Sequence, residues 1–207
     1  MERNRSDEKT RRPPSGAAVQ RPALTEALCR ALFEEWARTG YAALSLERVA
    51  ARAGAGKAAI YRRWSSKRDF ASEAVATMAT DLTTIPDEGD LEADILAFLR
   101  ALRRVLRHPL VRRILPDLHA ERARSDELAP LLDGVTEARR RRGQDILERA
   151  IRRGDLPSSL DRELALDLLP SPLYWRIVVT RRRITVPELR RQARVLAVAL
   201  RAADLRM

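Results

Sequence analysis

The sequence predicts an all-α fold of about nine helices, and three observations predict it. Apolar residues recur every three to four positions from Leu24 to Leu200, the repeat of a helix that buries one stripe. No stretch alternates apolar and polar residues with the period of two of a half-buried strand. Hydrophobic residues make up 45 % of the 207 but aromatics only 4 %, so the core is built from Leu, Ala, Val and Ile, a composition that suits helix-on-helix packing better than an aromatic-rich sheet.

Residues 1–21 hold scattered charges, Pro13-Pro14, Ser15-Gly16 and no apolar period, and read as a flexible basic arm. A first helix starts at Pro22, carries Leu24, Leu28, Leu32 and Trp36 on one stripe, and stops at Gly40. Ser45 is the N-cap of a second helix, Leu46 to Ala53, with Leu46, Val49, Ala50 and Ala53 inward. Ala53-Gly54-Ala55-Gly56 makes a turn into a short third helix from Lys57 to about Arg63. Ser66 caps a fourth, with Asp69 at the capping-box position and Phe70, Ala74, Val75 and Met78 apolar.

The pattern breaks at residues 85–89, which sets a head at 22–84 apart from a second helical region at 90–207. There Asp90 caps a helix from Leu91 to Arg107, ended by His108-Pro109, and a shorter helix spans Leu110 to Leu118. Ser125 opens a long segment ending at Gly154, whose stripe lapses between Arg139 and Gly143 and so predicts a bend or a change of packing partner. Asp161 starts a helix running from Leu164 to about Thr180, and Thr185 caps the last one, with Leu189, Ala193, Leu196 and Leu200 as its seam.

The formal charge is +11, which points to a polyanionic partner. Arginine dominates throughout, so position says more than the total. Arg48, Arg52, Lys57, Arg62, Arg63, Lys67 and Arg68 lie in one window with no acidic residue among them, and it holds two of the chain's three lysines. Other classes find little support. No apolar run reaches the roughly 18 residues of a membrane span, and the N-terminus has no secretion-signal stretch, so a cytoplasmic protein is expected. Cys29 is the only cysteine, which excludes an intrachain disulfide and a cysteine-based zinc site. His108 and His119 are eleven apart with no further ligand at metal spacing, so no metal or cofactor is expected. Ser125-Asp126-Glu127 reads as a helix start, and no Gly-rich phosphate loop follows a strand. An enzyme is not expected. Glu34-Glu35 is assigned to a solvent face, Trp36 and Trp64 to the core, and Arg139 to Arg142 to a solvated helix face.

Two short helices joined by a Gly-containing turn describe a helix-turn-helix, in which the second helix lies in the major groove while the first crosses the phosphate backbone. Ala53, Ala58 and Ala59 permit close approach, Gly54 can end the preceding helix in the left-handed conformation, and the basic residues and the Tyr61 hydroxyl can meet phosphates.

Residues Leu24 to Val75 resemble the DNA-binding domain of the tetracycline-repressor (TetR) family. The resemblance rests on Ala31-Leu32-Phe33, Thr39-Gly40-Tyr41, Ser45-Leu46-Glu47-Arg48-Val49-Ala50, Arg52-Ala53-Gly54-Ala55-Gly56-Lys57 and Ile60-Tyr61-Arg62-Arg63-Trp64-Ser65-Ser66-Lys67. It implies that Tyr61 and Lys67 hold phosphates and that Lys57 to Arg62 lie on the recognition helix. The DNA-binding set is then Ser45, Gly56, Lys57, Ala58, Ala59, Tyr61, Arg62, Arg63 and Lys67. The chain departs from the family at Gly56, where Ser is common, and at Ala58-Ala59, where Gly or Pro and then Thr are frequent. With few polar side chains left for base edges, methyl contact with thymine plus arginine to guanine is the expected readout.

Leu156-Pro157, Asp161 to Trp175 and Leu173 to Thr180 resemble one of the family's C-terminal domains, in which the last two helices of each subunit form a four-helix dimer interface. The apolar residues of that stretch cover nearly the whole circumference of their helix, as a helix buried on several sides requires. The resemblance implies a homodimeric, sequence-specific transcriptional regulator, a repressor released from a palindromic double-stranded DNA operator when a small-molecule effector binds among the C-terminal helices. Phe98, Leu102, Leu115, His119, Leu131 and Trp175 are the candidate effector contacts. The alternative is an effector-independent architectural protein, which would bind DNA with little sequence preference and a steep salt dependence.

Overall fold

The computed structural model describes residues 22–80 and 85–202. The expected arm at 1–21 and the end of the head at 81–84 lie outside them. The described residues form ten α-helical segments and no strand.

The head contains α1 (Pro22–Thr39), α2 (Leu46–Arg52), α3 (Lys57–Tyr61) and α4 (Lys67–Thr80). α1 opens on a proline, whose missing N–H is one a first turn leaves unpaired anyway. Ser45 Oγ accepts from the Arg48 N–H at 3.4 Å to cap α2, and Ser66 Oγ accepts from the Asp69 N–H at 3.0 Å to cap α4. The Asp69 carboxylate takes the Ser65 hydroxyl, so that side of the expected capping box is replaced by a local side-chain bond. Gly54, at φ 67°, makes the turn between α2 and α3, in a region that L side chains resist.

The remaining helices are α5 (Leu91–Arg107), α6 (Pro109–Arg124), α7 (Ala129–Arg153), α8 (Arg162–Leu168), α9 (Ser171–Tyr174) and α10 (Val186–Ala202), with a 3₁₀ turn at Asp126–Leu128 and a π turn at Trp175–Val179. Two differ from expectation. α6 runs six residues past Leu118, because His119 to Arg124 carries strong helix formers but no apolar stripe to reveal them. The helix expected from Leu164 to Thr180 is broken at Pro170, whose ring lacks the N–H a continuous helix would use.

Two apolar cores form. One joins α1 to α4 and takes in Ile114 and Leu118 of α6 and Leu128, Leu131 and Leu132 at the start of α7. The other gathers α5, the second half of α7, α8, α9 and α10. The lapse in the α7 stripe is therefore a change of partner: the helix continues unbroken from the head core, at Leu131 and Leu132, into the second core, at Ile146, Leu147 and Ala150. Between them Gly143 lets α8 close in, since a Cβ there would stand 2.6 Å from a Leu166 methyl.

Asp94 of α5 is fully buried and held by Arg153 at 2.8 Å, Arg149 at 3.5 Å and the Glu88 N–H at 2.8 Å. Arg149 also donates to the carbonyls of Ile85 and Pro86, at 3.1 and 3.3 Å. This network fastens the segment entering α5 to both α5 and α7. Among the described residues no helix is long and apolar enough to cross a membrane.

Candidate nucleic-acid interface

The helix-turn-helix is set by what it buries. Val49 and Ala50 of α2 and Ile60 of α3 enter the head core beside Trp64, which stacks on Phe70 at 3.9 Å between ring centroids. With Ile60 anchored, Lys57, Ala58, Tyr61 and Arg62 are left on the outer side of α3 and all are exposed. Ala59 is not. It is buried, and Arg63 folds back to donate to its carbonyl at 2.8 Å. The expectation of a base contact from the Ala59 methyl is thereby corrected: α3 turns that position inward with Ile60.

Gly56 caps α3 in an extended conformation with no side-chain acceptor. Ser45 spends its hydroxyl on the Arg48 N–H and on Glu47. Arg62 makes no ion pair among the described residues. Lys67 is half-buried, with its Nζ donating to the Tyr41 carbonyl at 3.0 Å and lying 4.2 Å from that ring's centroid, a cation–π arrangement. Tyr41 in turn donates to Glu127 at 2.8 Å, and burial together with that carboxylate raises its phenol pKa. The start of α4 at Lys67 is thus fixed to the segment after α1.

Acidic residues do reach the basic window, from other helices. Glu47 of α2 pairs with Lys57 of α3, which draws the Glu47 carboxyl down to about 2 and raises the Lys57 ammonium. Glu35 overturns its assignment to a solvent face: it is 0 % exposed. Arg38 pairs with it at 2.9 Å, Arg48 more closely, and Arg52 at 3.9 Å. Burial pushes the Glu35 carboxyl up, but the guanidinium bonds from Arg48 and Arg38 outweigh it and hold the group below the usual carboxylate range. A charge inside the head is tolerated because it is paired on several sides.

The six effector candidates are not brought together. Phe98 lies inside the second core and Leu131 inside the head core, while Trp175 is 61 % exposed. Leu102 and Leu115 are half-buried at the edge of the second core. His119, exposed and one turn beyond Leu115 on α6, has its Nε2 2.6 Å from the Tyr174 hydroxyl of α9. An apolar period identifies buried positions but not which of them share a wall.

A second surface stands out. Trp175 and Val179 of the π turn and Val195 and Val198 of α10 are exposed, the two valines on the side of α10 opposite the buried Leu189, Ala193, Leu196 and Leu200. Single exposed apolar residues need no explanation, but a group of this size on adjacent elements marks an interaction face.

Comparison with known proteins agrees along most of the chain. Residues 28–74 match the family described as bacterial regulatory proteins, tetR family, and residues 85–196 match the tetracyclin repressor-like C-terminal domain. The chain is 32 % identical over 151 residues to the DNA-binding transcriptional repressor TetR of Mycobacteroides abscessus, covering 69 % of this chain and 75 % of that protein. It is 28 % identical over 163 residues to the HTH-type transcriptional regulator YdeS of Bacillus subtilis, covering 75 % and 78 %. Among solved structures, the TetR family transcription regulator SCO0332 superimposes with a TM-score of 0.61 at 27 % identity, over 84 % of this chain and 97 % of that one.

Proposed function

The chain belongs to the TetR family of helix-turn-helix transcriptional regulators, and on that premise we propose that it is a homodimeric repressor that grips a palindromic operator with α3 of each subunit and releases it when a small molecule binds among the C-terminal helices. The observation that carries the DNA-facing part is the sidedness of α3: Ile60 is fully buried while Lys57, Ala58, Tyr61 and Arg62 stand outside. In this reading Arg62 reads base edges, with guanine as its natural partner, Ala58 offers a methyl to thymine, and Tyr61 and Lys67 meet phosphates.

The exposed valines of α10 and Trp175 support pairing of two copies through the last helices, which would set the two α3 helices one helical turn or so apart. Release then requires only that the effector favour the spread arrangement by a few kcal/mol. An effector-independent architectural role is not favoured, since the relatives are transcriptional regulators. Selection of bound duplexes from random DNA tests the proposal. It predicts a palindromic site with half-sites about 10 bp apart, or a multiple of that. A single unrepeated site, or no enriched sequence, would overturn it.

A further inference from the structure

Lys67 is the first residue of α4, and its side chain is held at the charged end. Its Nζ donates to the Tyr41 carbonyl at 3.0 Å and lies 4.2 Å from the centre of the Tyr41 ring. No carboxylate pairs with it among the described residues. An ammonium carries three donors and no acceptor. The carbonyl takes one and the ring face draws the charge, which leaves donor capacity for an anion from outside.

Tyr41 is itself held, and by residues outside the head. It is 1 % exposed. Its phenol donates to Glu127 at 2.8 Å, and its backbone N–H donates to Asp117 at 2.8 Å. Asp117 belongs to α6, and Glu127 to the 3₁₀ turn that follows it. Both are well placed: Asp117 also takes the Trp36 indole N–H at 2.7 Å, and Glu127 precedes Leu128, which is buried in the head core. A ring fastened at its hydroxyl and at its backbone is kept from tilting away from the ammonium beside it.

Holding the lysine in advance bears on affinity. A free lysine loses rotamer freedom when it settles on a phosphate. One already fixed has lost that freedom on folding, and the difference appears as tighter binding. The contact carries no sequence information of its own, because every nucleotide offers the same phosphate.

We infer that Tyr41 is a positioning residue for the backbone contact: Glu127 and Asp117 fix it, and it fixes the Lys67 ammonium where a phosphate meets it. Two carboxylates from outside the head thereby set how tightly the head grips DNA. The inference rests on the reading of Lys67 as a phosphate contact given above.

The test is a double-mutant cycle in the full-length chain, with anisotropy titrations of the selected and a scrambled duplex over a range of salt. Tyr41→Phe removes only the hydroxyl and Glu127→Ala changes an exposed residue, so both keep the helical signal. Each should weaken both duplexes by about threefold, the equivalent of one side chain left to be ordered on binding. The preference between duplexes stays the same, and so does the salt slope, because the ammonium is still present. Long-range charge alone would make the loss of a carboxylate tighten binding to a polyanion, so weakening by Glu127→Ala reports the placing of Lys67. Neither change should matter in a Lys67→Ala background, where no ammonium remains to be placed. Equal losses in both backgrounds, a loss confined to the selected duplex, or wild-type affinity of both single variants would overturn the inference and leave Lys67 as a phosphate contact. Wild-type affinity of Lys67→Ala would overturn that contact and the inference together.

Discussion

Trp36 of α1 donates its indole N–H to Asp117 of α6 at 2.7 Å, and the same carboxylate oxygen accepts the Tyr41 backbone N–H at 2.8 Å. One side chain from the second half of the molecule thus satisfies two donors at the end of α1. Asp117→Ala leaves a buried indole N–H unpaired and removes a charge-assisted bond, a loss of about 2 kcal/mol. Urea unfolding should report it as a lower midpoint, with Asp117→Asn, which keeps an acceptor oxygen, losing less. A midpoint unchanged by Asp117→Ala would remove this contact from the account of head docking.

Glu35 should give the head an acid-sensitive component. Its carboxyl pKa is lowered in the folded chain, while the unfolded value is about 4.3. A group depressed on folding contributes stability that is present above the unfolded pKa and is lost as pH falls through the folded one. Glu35→Gln should therefore flatten the fall of stability with pH below about 4, measured by urea midpoints at neutral and acid pH. An identical acid loss in the variant would show that the Arg38 and Arg48 pairs do not act as described.

Glu47 pairs with Lys57 and sets a carboxylate beside the outer side of α3, which the proposed function turns to DNA. Glu47→Gln should tighten binding to all duplexes by about fivefold, equivalent to about 1 kcal/mol, in low-salt anisotropy titrations, and Lys57→Ala should then cost more in that background than alone. Weaker binding by Glu47→Gln would instead make the carboxylate itself a DNA contact.

The exposed valines of α10 bear on assembly. Val195 is 62 % exposed and Val198 lies one turn nearer the C-terminus, so Val195→Glu should yield a monomer by sedimentation at micromolar concentration while preserving the helical signal. The monomer should bind a full palindrome no better than a half-site. A dimer that survives the charge would move the interface elsewhere.

The sequence announces most helix starts because Ser45, Ser66, Asp90 and Thr185 each sit just before an apolar period. The end of α6 was hidden because a polar helix with no buried stripe leaves no period to read. Glu35 was legible by spacing, seven residues after Leu28 and three after Leu32, which puts it on the buried stripe of α1. Its charge argued for solvent, and the arginines that reverse that argument come from the end of α1 and from α2. The Glu47–Lys57 pair and the meeting of His119 with Tyr174 likewise join residues on different helices, and no local pattern encodes them. The outer side of α3 followed from Ile60, but Ala59, next to it, is turned inward as well, and a five-residue helix gives too short a period to show that.

The central claim is that α3 reads sequence while the start of α4 holds the backbone. Anisotropy titrations of Arg62→Ala and Lys67→Ala against a selected and a scrambled duplex, over a range of salt, test it most directly. Arg62→Ala should lose about 1–3 kcal/mol of preference for the selected duplex, whereas Lys67→Ala should weaken both duplexes alike and reduce the salt slope by about 1. Equal losses of preference in the two variants would contradict the assignment.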